Sequence, residues 1–537
     1  MTDAALPSGA DLSATPGLPA APATPRRGWL VEAVASLTTR RLLVLIVLLS
    51  IGSFQMFAAT DIDFWWHYKT GELIATTGIV PHADPFTYSA AGRPWVAHEW
   101  LWDLAVYWIY QFGGYALADI LSAAIVVSAF AVYYRYLRWV GANEFVAALL
   151  TTLTALFAKP SVGVRPRELT FLFLAIFLFC LARHRVGARS PLWLLPILML
   201  VWVNSHGLFV LGLALLGAYG GVALLEWRLA RRPFPRVLVI TGVACVLAAC
   251  VNPWGPVMLV YPFGYYFGAE NVSFSQVTEF ASPDFHERFY QLFALMLLAL
   301  VALPPRRTGD PIAGARVLTN AGPRPTGRWD VVELLLVITF AFQALVSVRQ
   351  VPVAAMVIAP VLVARMRDRH RLFGELRPIL PRPRFGLLNL VILAVVLAGA
   401  AAYVSGSSDL RSRLQLGATP QTADLPVAGV RYIQDHGLPD PVLNYQPWGG
   451  YLTFVWYPER RVFIDGRVDM YAPKQIDDYS AIFMLKPTWR QELDDYGFRT
   501  VLAQKDSPLV LMLIESGSWE RVFQGEHEDV LVRKRSD

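Results

Sequence analysis

Charge and cysteine are both scarce in this chain. Of 537 residues only 16% are charged, against roughly 25% in an ordinary soluble domain, which argues against a chain solvated by water along its whole length. The three cysteines, Cys180, Cys245 and Cys250, lie in apolar runs with no histidine at metal-ligand spacing. That excludes a zinc-ribbon or disulfide scaffold and leaves them as small buried hydrophobes. Lysine is rare beside arginine, and neither a repeat nor a Walker-type phosphate loop is present. The net charge of +6 does not mark a nucleic-acid partner, because the arginines sit in short loops beside apolar runs, where they report topology.

What is abundant is hydrophobicity, at 55% of residues. Apolar stretches recur from Leu42 to Tyr403, and after Ser405 they shorten to strand length while charge, Gly and Pro rise. This predicts an all-α polytopic membrane bundle of about eleven helices, followed by a C-terminal α/β domain. The expected spans are 42–59, 114–134, 143–159, 169–183, 191–204, 208–227, 236–252, 288–304, 331–347, 351–366 and 386–403. Residues 1–40 read as a cytoplasmic leader, 41–403 as the membrane region and 404–537 as the extracytoplasmic domain.

Orientation follows from arginine placement. Arg26, Arg27, Arg40 and Arg41 precede the first span, and Arg135/Arg138, Arg183/Arg185/Arg189, Arg228/Arg231/Arg232, Arg306 through Arg328 and Arg365 through Arg384 mark later inside loops. By the positive-inside rule the N-terminus is cytoplasmic, and an odd number of crossings puts the tail outside a bacterial inner membrane. The first outside loop, 60–113, is the longest. It interleaves Trp65, Trp66, Trp95, Trp100, Trp102 and Trp108 with acids, a composition suited to helices lying in the interface. In the tail, 426–436, 489–496 and 509–515 read as helices, 442–445, 462–464 and 500–503 as strands, and 519–534 as a hairpin.

The string Asp61-Ile62-Asp63-Phe64-Trp65-Trp66-His67-Tyr68-Lys69-Thr70-Gly71 follows the first span directly. A carboxylate held at that boundary could act as a general base or, as a pair with its neighbour, hold a divalent cation such as Mg or Mn. The structural alternative is an interfacial cap, with acids on helix N-terminal amides and tryptophans as anchors. Arg165, Arg167 and Arg349 fall on the outside face against the positive-inside bias. Guanidinium forks there suit a lipid phosphate, or else headgroups and nearby acids such as Glu168. His206 and Asn204 share a hairpin with Gly207, where an interhelical hydrogen bond is the plainer reading. His67, His98 and Glu99 are further candidates in the first loop.

An acidic motif in a long first outside loop resembles the GT-C superfamily of membrane glycosyltransferases, which take sugars from polyprenyl-phosphate or polyprenyl-diphosphate carriers. Asp61-x-Asp63-Phe-Trp-Trp-His-Tyr-Lys-Thr is similar to the acid-x-Asp-Pro-Trp-Phe-Asn-Tyr-Arg-Thr stretch of oligosaccharyltransferase catalytic subunits. Asp63 then stands at the functional aspartate and Lys69 at the arginine. Pro81-His82-Ala83-Asp84-Pro85-Phe86 and Trp95-Val96-Ala97-His98-Glu99-Trp100 resemble pieces of bacterial membrane proteins carrying an Asp-x-Asp-x-Trp-Trp-His loop. The resemblance implies transfer from a lipid-linked donor to an extracytoplasmic acceptor, with Asp63 as base, Asp61 assisting, and Lys69, Arg165, Arg167, His206 and Arg349 around the carrier phosphate. In the tail, Pro447-Trp448-Gly449 departs from the Trp-Trp-Asp of the sequon-reading motif, so Gly449 and Gly450 read as a tight turn and Arg461 and Arg467 as partners of nearby acids. A transporter or flippase, or a non-catalytic envelope-assembly factor, would also need many helices. The chain shows no internal repeat or Gly/Pro-broken helix pair to favour the former.

Overall fold

A computed structural model describes residues 37–56, 61–161, 163–267, 280–303, 330–367, 383–406 and 425–534. Most of the leader, the arginine-bearing loop 304–329, the loop 368–382 and the junction 407–424 lie outside the described residues.

Each of the eleven expected spans falls on a helix. Among them are Thr39–Met56, Trp100–Val140, Glu144–Ala158, Arg167–Arg185, Val210–Ala230, Val351–Arg367 and Pro383–Gly406. Three helical stretches among the described residues, Trp100–Val140, Gly207–Ala230 and Val348–Met366, are long and apolar enough to cross a membrane. Leu194–Val203, Arg236–Ala249, Arg288–Ala302, Val331–Val346 and Gly386–Gly399 are apolar but shorter. Val351–Arg367 is the most enclosed, with Val351 and every residue from Val353 to Ala359 buried. Its run of small and β-branched side chains lets neighbouring helices close on all sides.

The expected second span, 114–134, is only part of its helix. Trp100–Val140 runs on through a kink at Gly113 and Gly114, where φ and ψ leave the helical region. The first loop is therefore about half helical, made of Phe64–Thr77, an irregular segment through Asp84 and Trp95, and the leading third of the kinked helix. Gly71 permits the close packing of the two: a Cβ there would overlap the Asp103 carbonyl oxygen and lie 2.8 Å from Tyr107 Cβ.

The tail builds a four-stranded sheet from β1 (Val442–Asn444), β2 (Thr500–Gln504), β3 (Trp519–Gln524) and β4 (Glu528–Arg533), in the order β1-β2-β4-β3. β1 and β2 are parallel and the other pairs antiparallel. The expected strand at 462–464 is not one. Val462 makes a single parallel bridge to Thr87 of the first loop, and the chain then turns at Asp465. A β-branched run without a continuous partner strand remains irregular. Pro473–Phe483, an additional helix, was not legible in the apolar pattern.

Loop and tail share their cores. Trp66, Phe86 and Trp95 pack with Leu443, Phe463 and Trp489, while Phe64, Trp65 and Tyr68 pack with Trp448, Tyr451 and Trp456. The aromatic side chains that the sequence offered as interfacial anchors are thus in large part the hydrophobic floor of the tail.

Candidate functional site

The acidic motif is folded as a turn. The Asp61 carboxylate accepts from the Asp63 backbone N–H at 2.9 Å, and Phe64–Thr77 begins immediately afterwards. Asp61 is buried while Asp63 keeps about a quarter of its side chain open. Trp66 Nε1 donates to Asp63 Oδ1 at 3.1 Å, which aims that carboxylate without neutralising it.

Arg165 reaches both acids from the turn ahead of Arg167–Arg185. Its Nε donates to Asp61 Oδ2, and its Nη2 lies 3.6 Å from Asp63 Oδ2. A guanidinium fork spanning two carboxylates offsets their mutual repulsion. Arg165 is therefore committed to the motif. Among the described residues no group of three or more His, Cys, Asp and Glu is placed to hold a metal ion, and a cation on Asp61 and Asp63 would compete with Arg165 for the same oxygens.

Three imidazoles surround a second acid. The Nε2 atoms of His98, His206 and His67 lie 3.7, 3.8 and 4.0 Å from the Glu99 carboxylate. Burial pushes the Glu99 carboxyl up to about 7, a neighbouring Asp469 adding to the rise and His98 opposing it. Burial holds the His67 and His206 imidazoles well below their ordinary value, with Arg165 adding to the effect at His67 and Arg349 at His206. Their far nitrogens are spoken for: His67 Nδ1 lies 2.6 Å from Asp103 Oδ1, His98 Nδ1 3.1 Å from the Val96 carbonyl, and His206 Nδ1 2.8 Å from the Thr170 hydroxyl. Because a carbonyl can only accept, His98 carries its proton on Nδ1 and, when neutral, turns a bare Nε2 to Glu99. The Thr170 hydroxyl also accepts from Trp202 Nε1 at 3.0 Å.

Arg167 and Arg349 belong to the same end of the bundle. Arg167 Nη2 donates to the Arg349 carbonyl, and both line a cavity with Phe157, Phe289, Tyr290 and Val348. The remaining candidates sit apart. Lys69 pairs with Glu72 at 2.7 Å and lies over the Tyr457 ring. Asn204 is saturated, accepting from Trp100 Nε1 and donating to the Leu200 and Val251 carbonyls. Two members were missed from the sequence. Tyr261 donates to Asp469 at 2.9 Å and lies with its ring tilted against that of His98, 5.6 Å between centroids, and Asp103 anchors His67. Neither belongs to a motif, and only the fold brings them in.

No protein-family model matches the chain, and no curated protein does. Among solved structures, the oligosaccharyltransferase AglB of Archaeoglobus fulgidus, in complex with an inhibitory peptide and a dolichol-phosphate, is similar at 14% identity and a TM-score of 0.45, covering 86% of this chain and 69% of that one. ArnT of Cupriavidus metallidurans bound to undecaprenyl phosphate is similar at 16% identity and a TM-score of 0.41, over 95% of this chain and 98% of that one. The arabinofuranosyltransferase AftD from Mycobacteria gives 12% identity and a TM-score of 0.45, over 93% of this chain and 42% of that one.

Proposed function

We propose that this chain is a GT-C-like integral-membrane glycosyltransferase that moves a sugar from a polyprenyl-phosphate or -diphosphate carrier to an acceptor hydroxyl or amide on the outer side of a bacterial inner membrane. The reading rests on one observation above all. Asp63 is a partly open carboxylate, aimed by Trp66 and flanked by Arg165, at the end of the bundle where Arg167 and Arg349 line a cavity. An acid that can reach a substrate proton, beside cations that can meet a leaving phosphate, is the minimum that glycosyl transfer needs. The likeness of the Asp61-to-Thr70 string to oligosaccharyltransferases supports the same assignment for Asp63.

In the proposed step the acceptor heteroatom attacks the anomeric carbon and its proton passes to Asp63. The bond from that carbon to the carrier phosphate oxygen breaks, the electron pair leaves with the phosphate, and configuration inverts. Arg349 and Arg167 hold the departing phosphate and stabilise its growing charge. Asp61 and Arg165 set the place of Asp63 rather than the carrier's. A cation bound by Asp61 and Asp63 would have to displace Arg165, and would then act on the phosphate. Eleven crossings with a cytoplasmic N-terminus and the tail outside complete the proposal.

The test is Asp63→Asn in the purified, membrane-reconstituted protein, assayed against a panel of polyprenyl-phosphate-linked sugars. Transfer is expected to disappear while insertion and melting temperature hold. Full turnover by Asp63→Asn would remove the mechanism.

A further inference from the structure

The Asp465-Gly466-Arg467 turn of the tail takes no part in the step above, yet it lies directly on the acid that does. A Cβ at Gly466 would run into Asp63 Oδ1 and come within 3.4 Å of Trp66 Nε1. The Gly466 backbone is thus one wall of the space in which the Asp63 carboxylate sits, with the Trp66 N–H and Arg165 on other sides.

The residue beside it is anchored far more heavily than a surface turn requires. Arg467 is 2% exposed. Its Nη2 donates to Asp84 Oδ1 at 2.8 Å and to Asp465 Oδ2 at 2.6 Å, and its Nε donates to Asp465 Oδ1 and Oδ2 at 3.1 and 3.0 Å. The guanidinium lies over the rings of Trp95 and Phe86, 4.5 and 5.0 Å from their centroids. Tyr471 donates to Asp465 Oδ1 at 2.9 Å, and Asp84 accepts from the Phe86 and Thr87 amides, each at 3.1 Å. Burying one cation and two carboxylates costs several kcal/mol per ion before pairing recovers it, and well-packed apolar side chains would often serve stability as well or better. What a fork that grips two carboxylates through Nε and Nη2 supplies instead is a single fixed geometry.

We infer that Arg467 is a positioning residue: by tying Asp84 of the first loop to Asp465 of the tail, it presses Gly466 against Asp63 and so sets the direction of that carboxylate. The inference deepens the glycosyl-transfer reading and rests on Asp63 being the base. It also gives the tail a role in the reaction that needs no acceptor-reading motif. The device is buried and multiply hydrogen-bonded, as an element that fixes a carboxylate to within a fraction of an ångström must be.

Two measurements on the full chain in nanodiscs test it. In the first, Gly466→Ala lowers the melting temperature, and adding Asp63→Ala removes that loss because the new methyl enters vacated space. A loss that persists unchanged in the double variant overturns the contact. This arm needs no turnover, so it is judged separately from the enzyme reading. In the second, with the polyprenyl-phosphate-linked sugar that supports transfer, Gly466→Ala and Arg467→Lys each lower kcat by about a hundredfold and leave the KM for the carrier unchanged. The Gly466→Ala effect differs in an Asp63→Glu background, where the carboxylate is re-aimed. An equal effect in both backgrounds means the turn acts on stability alone and overturns the positioning role. Should Arg467→Lys fail to fold, Gly466→Ala decides this arm. Should the native protein transfer no sugar, the enzyme reading fails and the first arm decides the contact.

Discussion

Arg165 Nε donates to Asp61 Oδ2 across 104 residues of chain, and the same guanidinium stands 3.6 Å from Asp63. Asp61 has almost no exposed side chain, so its carboxylate is held in place by that one guanidinium and the turn it caps. Arg165→Ala would leave a buried carboxylate without its counter-charge, a change that costs about 3–5 kcal/mol when a buried pair loses one partner. The expected result is a much lower melting temperature together with lost transfer. Adding Asp61→Asn removes the stranded charge and restores most of the stability but none of the transfer, because Asp63 is still without its guanidinium. A double variant as unstable as Arg165→Ala alone would show that the pair does not carry the cost.

Glu99 makes stability depend on pH. Its carboxyl is raised from an ordinary 4.5 to about 7 by burial. A raised acid binds its proton more tightly folded than unfolded, so the stability it contributes is fully present below pH 4.5 and is lost as the pH climbs to about 7. The depressed imidazoles of His67 and His206 act oppositely, since the unfolded chain takes up their protons as the pH falls below about 6.5. The two trends overlap in the native protein, so the informative quantity is a difference. Glu99→Gln minus native stability should grow by about 3 kcal/mol between pH 4.5 and 7 and then level off. A flat difference in chemical denaturation across that range would mean that Glu99 titrates normally.

The helices of the bundle were legible because long apolar stretches mark them, and all eleven expected ranges fall on helices, three of them long and apolar enough to cross a membrane. The acid motif was legible because Asp61, Asp63, Trp66 and His67 fall within seven consecutive residues. What the sequence hid is whatever depends on partners far away in the chain. Arg165 was offered as a phosphate ligand, and nothing in the sequence shows that it also meets Asp61. Arg467 was expected to pair with a nearby acid, as it does with Asp465, but its second partner, Asp84, lies 383 residues earlier. The tryptophans at 65, 66 and 95 matched an interfacial belt in composition, but composition cannot distinguish a ring facing lipid from one facing the tail.

Gly71 lies inside Phe64–Thr77 and Gly78 caps its C-terminus, and the two predict different outcomes for activity. A methyl at Gly71 would overlap the Asp103 carbonyl, whereas Gly78 has open space around it and a φ of +70°. Gly71→Ala must therefore push Phe64–Thr77 away from Trp100–Val140, at an overpacking cost of about 1–3 kcal/mol. It also draws His67 off Asp103, which it meets at 2.6 Å. Gly78→Ala pays only for the left-handed backbone, about 1–2 kcal/mol, at the far end of the helix. Melting temperatures fall in both, but only Gly71→Ala should lose transfer. Equal activity in the two variants would dissociate the helix packing from the site.

In the proposed step Arg349 holds the carrier phosphate. Its carbonyl is held by Arg167, its guanidinium lies 5.1 Å from the centre of the Phe280 ring, and its side chain lines the cavity with Phe157, Phe289 and Tyr290. Aromatic walls beside a guanidinium suit an isoprenoid ending in phosphate, the chain meeting the rings and the headgroup the charge. A hydrogen bond to a charged group contributes about 1.5–3 kcal/mol, so Arg349→Ala should weaken decaprenyl phosphate binding in nanodiscs by about ten- to a hundredfold. Lysine keeps the charge but not the fork, and Arg349→Lys should fall between the two. Decaprenol, which has the same chain without the phosphate, separates the contributions. Its weak binding should not change in either variant. If decaprenol and decaprenyl phosphate lose affinity in parallel, Arg349 shapes the apolar wall, and the phosphate must be met elsewhere.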